Sequence, residues 1–394
     1  MNPNIAQLYA IAQKPSRFII GLMSGTSLDG LDIALCEFTG SGKSTTVTLK
    51  EFATVAYTPD FKSEIQKVFS KETIELRQLC LLNGWLGNAH GKMILDCLEK
   101  WNVAPQNVDL IASHGQTIYH APRRLHLQEG FKNATLQIGD GDHIAVTTGI
   151  ITFSDFRQKN IAGGGEGAPL ALFGDRLLFS KKDEDRILLN MGGIANFTLL
   201  FGDGSEPVCS DIGPGNTLLD AVVRHYKPGY FFDKDAGWAK QGFVNEALLA
   251  KLMAHPFFSQ DLPKTTGPEM FGWDYLAGCL AATQNDNISA EDLLATLVML
   301  SASTISSCIK IATKKNPLTL YASGGGWHNP LLMEQIRALL PGYTFASTAE
   351  LGIDGDAKEA VLFAILANES VAATEQLYSD AVNNLSLGKI SFPN

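Results

Sequence analysis

The stretch FIIGLMSGTSLDGLDIALCEF, residues 18–38, decides the fold. Phe18–Met23 is an apolar run of strand formers, SGTSLDG (24–30) is built of turn residues, and Leu31–Phe38 resumes as a strand with Asp32 facing the other way. A second turn, TGSGKS, leads into the β-branched run TTVTL and on through FATVAY. About 168 residues later the grammar returns: Arg186–Asn190 is a strand, MGGIAN a glycine turn, FTLLFG a returning strand. GDGSEP is the next turn, PVCSDIG a third strand, and NTLLDAVVRHY a helix opening directly after GPG. Two such units predict a duplicated α/β fold with a cleft between the halves.

Helical patterns fill the remainder, near 59–69, 72–100, 245–255, 291–313, 331–340 and 356–368, with further strands at VDLIASHGQT and LTLYAS. The expected division is 15–152 plus 370–394 for the first domain and 153–369 for the second. A chain of 394 residues agrees with two domains, possibly three, at roughly 150 residues each. Its 31 Lys plus Arg against 41 Asp plus Glu, a formal charge of −10, oppose a nucleic-acid partner, whose phosphates need a clustered basic face. An apolar share of 45% with 18% charged residues describes a chain that buries a large core. The opening MNPNIAQLYAIAQKPS lacks a basic n-region and an unbroken apolar stretch, and no run approaches the roughly 18 residues of a spanning helix, so a cytoplasmic protein without a membrane partner is expected. Six scattered cysteines without a CxxC pair read as reduced thiols.

GSGKST at 40–45 imitates the end of a Walker A loop, but Glu37 stands where the pattern needs glycine. The run TTVTLKEFATV after it is strand rather than helix, so a hairpin turn is expected. No GxSxG elbow and no helical HxxxH spacing supports a serine hydrolase or a metallohydrolase. Gly21–Asp32 differs: its small hydroxyl residues and glycines between two strands would wrap phosphate oxygens, and Asp29 and Asp32 would orient Mg²⁺ through water. A tight hairpin with Asx-type bonding is the plainer alternative. Met191–Asn196, with Gly192, Gly193 and Asn196, offers a second clamp, and two clamps suit a nucleoside triphosphate and its metal. Asp211 in SDIGPGN, at a strand end beside a helix N-terminus, suits a general base or simply the helix dipole. Gly324, Gly325 and Gly326 allow close approach of a flat ligand such as adenine, or form an ordinary βα turn. SDFRQKNIAGGGEGAP (154–169) reads as a substrate loop or lid carrying Arg157, Lys159 and Glu166, or as a linker. Ser113, His114 and Gln116 end a buried strand with groups fit for sugar hydroxyls, though His114 reads equally as a core histidine. Glu359, in GDAKEA, is an active-site acid or a helix N-terminal charge.

In order, GLMSGTSLDGLD, SHGQTIYHAP, TLQIGDG, DFRxxxxAGGGEGAPL, NMGGIANF, DIGPGN and ASGGGWHNP resemble the bacterial anhydro-N-acetylmuramic acid kinases over residues 18–370 or so. The resemblance implies two actin-like (RNase H-like) domains around an ATP and substrate cleft, as in the actin/hexokinase/Hsp70 superfamily. It implies a peptidoglycan-recycling enzyme that takes 1,6-anhydro-N-acetylmuramic acid, ATP, Mg²⁺ and water to N-acetylmuramic acid 6-phosphate and ADP, and a homodimer. Position by position it makes Gly25, Thr26, Ser27, Leu28, Asp29, Gly30, Leu31 and Asp32 the ATP phosphate segment. Asp211 becomes the catalytic aspartate, Glu359 a second acid and Gly324–Gly326 the adenosine motif. Asn160, Gly163 and Glu166 depart from the family loop, where Asp, Ala and Gln are common. A glutamate at 166 removes an amide donor and adds a charge unsuited to the substrate's lactyl carboxylate. The alternatives are an ordinary sugar kinase acting on a free hydroxyl and a non-catalytic sugar-binding regulator, which the acidic charge opposes.

Overall fold

In the computed structural model, which describes all residues except 26–27, 168–169, 268, 286 and 374–386, the hairpin read from 18–38 is the centre of a sheet. After helix α1 (Pro3–Ala12), β1 (Ser16–Ser24) and β2 (Gly30–Thr39) run antiparallel, opposing Gly21 to Ala34 and Met23 to Asp32. β3 (Thr46–Ala56) extends the meander. The Walker-like string is the β2–β3 turn, as expected, and Glu369 accepts from the Gly42 amide and the Thr45 hydroxyl there. Past α2 (Pro59–Gln66) and α3 (Leu76–Lys100), β4 (Leu110–Ala121) lies parallel to β1. α4 (Arg123–His126), β5 (Ala134–Ile138), α5 (Gly141–Thr148), β6 (Thr152–Ser154), α6 (Phe156–Ala162) and α7 (Ala171–Phe179) come next; β5 folds back on β4, and β6 pairs parallel with it.

The second sheet repeats the scheme. β7 (Arg186–Met191), β8 (Ile194–Leu200) and β9 (Val208–Pro214) form an antiparallel meander. Helices α8 (Thr217–Tyr226), α9 (Glu246–Met253), α10 (Trp273–Ala282) and α11 (Ala290–Ala312) precede β10 (Thr319–Ser323), and α12 (Pro330–Leu339) precedes β11 (Thr344–Ser347). The chain closes with α13 (Lys358–Ala372) and β12 (Lys389–Ser391), which joins β6. The sheet orders are β3-β2-β1-β4-β6-β12 and β9-β8-β7-β10-β11. In both, three antiparallel strands continue into two parallel ones. This is the duplicated actin-like (RNase H-like) α/β class.

The compact units are 1–178 with 357–394, and 179–356, so the boundaries differ from those expected at 152/153 and 369/370. Two contacts explain the difference. β6 pairs with β4 and carries the following loop into the first unit. α13, expected in the second half, packs on β1 so closely that a Cβ on Gly21 would sit 1.8 Å from the Ala360 carbonyl oxygen. Each unit has its own core: Ile20, Leu22, Leu31, Ile33, Leu86 and Ile111 in the first, and Ile187, Leu189, Phe197, Leu297, Leu320 and Ile336 in the second. The expectation that no run approaches spanning length needs correction. α11 is long and apolar enough to cross a bilayer, but 72% of its apolar window is buried inside the protein, as the central helix of the second core.

Candidate active site

In the first unit the close approach at Gly21 fixes the start of α13, and with it Glu359. Burial raises the Glu359 carboxyl above the usual range; Lys358 and Arg157 oppose the rise, while the carboxylates of Asp32 and Asp175 add to it. Lys358 Nζ lies 2.7 Å from Asp175 Oδ1, both side chains largely buried. Asp32, set on β2 opposite Met23, accepts from the Thr54 hydroxyl at 2.6 Å. Arg157 follows Asp155, whose φ of 55° turns the chain sharply into α6. Its Nε donates to His114 Nε2 at 3.0 Å and its Nη1 to the Gly167 carbonyl at 2.7 Å.

Because arginine only donates, His114 Nε2 is an acceptor and the imidazole proton is assigned to Nδ1. Burial first, then Arg157, pushes His114 down to about 3, so it is neutral at physiological pH and props the guanidinium rather than exchanging protons. Ser113 and His114 line a polar cavity of about 400 Å³ together with Gln137, Asp140, Asp155 and Lys389. Gln116 is not among its lining residues. It is fully buried, accepting from the Ser24 hydroxyl at 2.5 Å and donating to the Gly25 carbonyl at 3.1 Å.

The segment 154–167, expected as a loop, holds helix α6 instead, which carries Arg157, Lys159 and Asn160. Two of the segment's three departures, Asn160 and Glu166, have local counterparts. Asn160 Oδ1 accepts from the Gly167 amide at 2.8 Å, and Asn133 donates to the Gly165 carbonyl at 3.0 Å. Glu166 Oε2 lies 3.6 Å from Arg124 Nε, so the added charge meets a cation. In the turn after β1, Thr26 and Ser27 lie outside the described residues. Leu28 adopts φ 56° with its side chain in the core, beside that of Leu31, so these two have only backbone to offer a ligand. Gly30 is needed because a Cβ there would meet the Val55 carbonyl at 2.6 Å.

In the second unit Asp211 lies on β9, and its Oδ2 accepts from the Thr266 amide at 2.8 Å. The segment 264–266 runs beside the strand: the Lys264 carbonyl accepts from the Asp211 amide at 2.9 Å, and the Lys264 amide donates to Ser210 Oγ at 3.0 Å. Lys264 is itself buried, with Nζ on the carbonyls of Phe257 and Phe258. Sequence reasoning missed Lys264 and Thr266, because no motif marks a residue that acts through its backbone amide. Asn196 is the ladder partner of Asp211. The Asn216 amide donates to the Gly192 carbonyl at 2.9 Å and the Gly215 amide to the Gly193 carbonyl at 2.8 Å, stitching MGGIAN to DIGPGN. Asn216 Nδ2 also donates to the Met191 carbonyl at 3.2 Å. A Cβ on Gly324 would lie 2.7 Å from Asn190 Oδ1, and one on Gly326 2.6 Å from Met191 Cβ. Those two glycines serve packing against the end of β7. Gly325 has only Asn216 Nδ2, 3.3 Å from where its Cβ would be, among described neighbours.

Residues 17–391 match the family described as anhydro-N-acetylmuramic acid kinase. The chain belongs to that family. It is similar at 55% identity, over the whole of both chains, to the anhydro-N-acetylmuramic acid kinase of Pseudoalteromonas atlantica. It is 39% identical to that of Caldanaerobacter subterraneus subsp. tengcongensis, over 93% of each. A ROK family glucokinase from Streptomyces griseus, solved with glucose and AMPPNP, aligns over 89% of this chain and 98% of its own at 13% identity, with a TM-score of 0.36. A likeness at that level adds nothing to the strand orders already described. Membership makes the protein a phosphotransferase with an alcohol acceptor.

Proposed function

We propose that this kinase opens the 1,6-anhydro bridge of anhydro-N-acetylmuramic acid with water and phosphorylates the oxygen released, using ATP, as a cytoplasmic step of peptidoglycan recycling. The observation that carries the proposal is Asp211: a carboxylate within β9, three residues short of the strand end where the sequence places it, oriented by the Thr266 amide beside the MGGIAN and DIGPGN turns. Water attacks the anomeric carbon and gives its proton to Asp211. The bond from that carbon to O6 breaks, O6 takes the γ-phosphoryl, and the electrons of the β–γ bridge leave with ADP. General-base assistance of this kind is worth about 10²–10⁴ in rate. Phosphoryl capture removes the need for a poor alkoxide leaving group.

The backbone of Gly192 and Gly193 and of the segment Gly25–Asp32, a turn leading into β2, then serves the phosphates, Gly324–Gly326 the adenosine, and Arg157, Ser113 and His114 the sugar. Among the described residues no group of three His, Cys, Asp or Glu could hold a metal. The donor set nevertheless fits Mg²⁺, which characteristically uses one or two carboxylates plus substrate phosphates and water. Asp32 raises the Glu359 carboxyl, a like-charge conflict that a divalent cation relieves. When bound there, Mg²⁺ supplies charge neutralisation for the transferring phosphoryl group. A homodimer is proposed on the family resemblance.

The test is turnover in H₂¹⁸O, quenched early, with unlabelled product incubated alongside to measure spontaneous anomeric exchange. Label at the anomeric oxygen above that control, and none in the phosphate, is the expected result. Phosphorylated product without label shows a plain alcohol kinase instead.

A further inference from the structure

A buried hydrogen-bond chain crosses the first unit and ends on the turn after β1. Its members are His90 on α3, Tyr57 after β3, Ser24 at the end of β1, and Gln116 on β4. Tyr57 Oη lies 2.8 Å from His90 Nε2 and 2.9 Å from Ser24 Oγ. Ser24 Oγ lies 2.5 Å from Gln116 Oε1, and Gln116 Nε2 donates to the Gly25 carbonyl at 3.1 Å.

The direction of every link is set by what each group has to give. Gln116 Nε2 faces two carbonyls, those of Gly25 and Thr117, so its amide orientation is fixed and its Oε1 must accept. Ser24 therefore spends its only proton on Gln116 and can only accept from Tyr57. Tyr57 spends its proton on Ser24 and can only accept from His90, which must carry its proton on Nε2. His90 Nδ1 is then a bare acceptor, and it has no partner among the described residues. His90 is fully buried, and burial pushes it down to about 3, so this neutral tautomer holds throughout the working pH range. Donation runs one way, from α3 to the Gly25 carbonyl.

That carbonyl closes the turn. It also accepts from the Leu28 amide at 3.4 Å, a long and weak bond, while Leu28 is held at φ 56°, a conformation that branched side chains avoid. Among the described residues, the left-handed leucine and its long bond to Gly25 persist only if their surroundings over-determine them. Gln116 supplies the second bond to the same oxygen, and the core packing of Leu28 and Tyr57 supplies the rest.

We propose that His90, Tyr57, Ser24 and Gln116 are positioning residues for nucleotide: they hold the turn at Gly25 and Leu28 in the shape that receives the ATP phosphates. The inference rests on the reading of that turn as a phosphate segment. It predicts a split between ligands because, of the two carbonyls the chain ends on, Gly25 belongs to the phosphate segment and Thr117 is only the next residue of β4. Calorimetry with ADP, without sugar, is the primary measurement on Tyr57→Phe and Ser24→Ala, alongside thermal melts. Breaking one buried link should weaken ADP by about tenfold, the typical worth of such a bond. The KM for the anhydro sugar should stay within twofold, and Ser24→Thr should recover most of the ADP affinity. Should Tyr57→Phe fail to fold, Ser24→Ala and Ser24→Thr decide. ADP affinity within twofold of the unmodified protein in a folded Ser24→Ala overturns the proposal, and so does equal loss of nucleotide and sugar. Absence of turnover on anhydro sugar by the unmodified protein would sink the proposed reaction, yet leave the ADP comparison to judge this inference.

Discussion

The two units share a strand order and hold their acids in opposite ways. In the second unit Asp211 is a strand residue whose oxygen is aligned by the Thr266 amide, and both its sequence neighbours and its ladder partner Asn196 are part of one glycine-rich corner. In the first unit Glu359 starts a helix that arrives from the far end of the chain and is buried among Asp32, Asp175, Arg157 and Lys358. A proton acceptor needs an aimed oxygen, and a backbone donor aims one without adding a competing charge. A group that shares a cation with substrate phosphates can instead sit in an unfavourable like-charge setting that the ligand relieves. The same fold thus offers one well-supported carboxylate and one costly one.

The largest expected effect tests the first half of that contrast. Asp211→Asn keeps shape and loses basicity, so kcat should fall by about 10²–10⁴, with the melting temperature and the KM for ATP nearly unchanged. Turnover close to that of the unmodified enzyme, in a folded variant, removes Asp211 from the role of base.

Next in size is the joint that sets Glu359. Gly21→Ala places a methyl 1.8 Å from the Ala360 carbonyl, a backbone atom that cannot step aside without moving α13. Overpacking of this kind costs about 1–3 kcal/mol, which a melt should show as a drop of several degrees, and activity should fall because Glu359 shifts with the helix. Gly325→Ala is the matched comparison in the second unit, where the nearest described atom is the end of the Asn216 side chain at 3.3 Å. It should melt close to the unmodified protein. Equal destabilisation by both would show that the joint at Gly21 is not special.

These residues also mark what could be read in advance. The hairpins at 18–38 and 186–202 are legible because strand alternation and turn residues are local properties. Asp211 is legible for the same reason, since DIGPGN carries its own strand end and helix start. The membership of α13 is not: it depends on one missing methyl at Gly21 and a carbonyl at Ala360, and no hydrophobic pattern tells which sheet an apolar helix will cover. Thr266 is 55 positions from Asp211 and contributes an amide that almost any residue would supply. Gln116 was legible as a polar residue ending a buried strand, but its partners Ser24 and Gly25 are 92 and 91 positions away, so a cavity contact and a buried brace look alike in sequence. The triple glycine at 324–326 is far from idle, as its entropy cost suggests. Two of the three pack so closely on Asn190 and Met191 that a side chain would not fit, a demand that the string of glycines does not itself announce.

The smallest effect concerns the stability that Glu359 gives up. Its folded-state pKa lies above the unfolded value, chiefly through burial. Between those two values the native state binds more protons than the unfolded chain, so this group lowers stability as pH rises through the interval, and the full cost persists above it. Glu359→Gln removes the charge at nearly constant volume. The variant should lose activity but melt a few degrees higher than the unmodified protein at pH 8, with the gap closing toward pH 4 as the native glutamate protonates. Lys358 and Arg157 lose a favourable neighbour in the exchange, which keeps the gain modest. A melt at pH 8 lower than that of the unmodified protein would mean that the two cations outweigh burial, and that Glu359 is a structural anchor like the Lys358–Asp175 pair beside it. Adding ADP and Mg²⁺ sharpens the choice: ligand should stabilise the unmodified protein more than Glu359→Gln if the carboxylate's cost is relieved on binding.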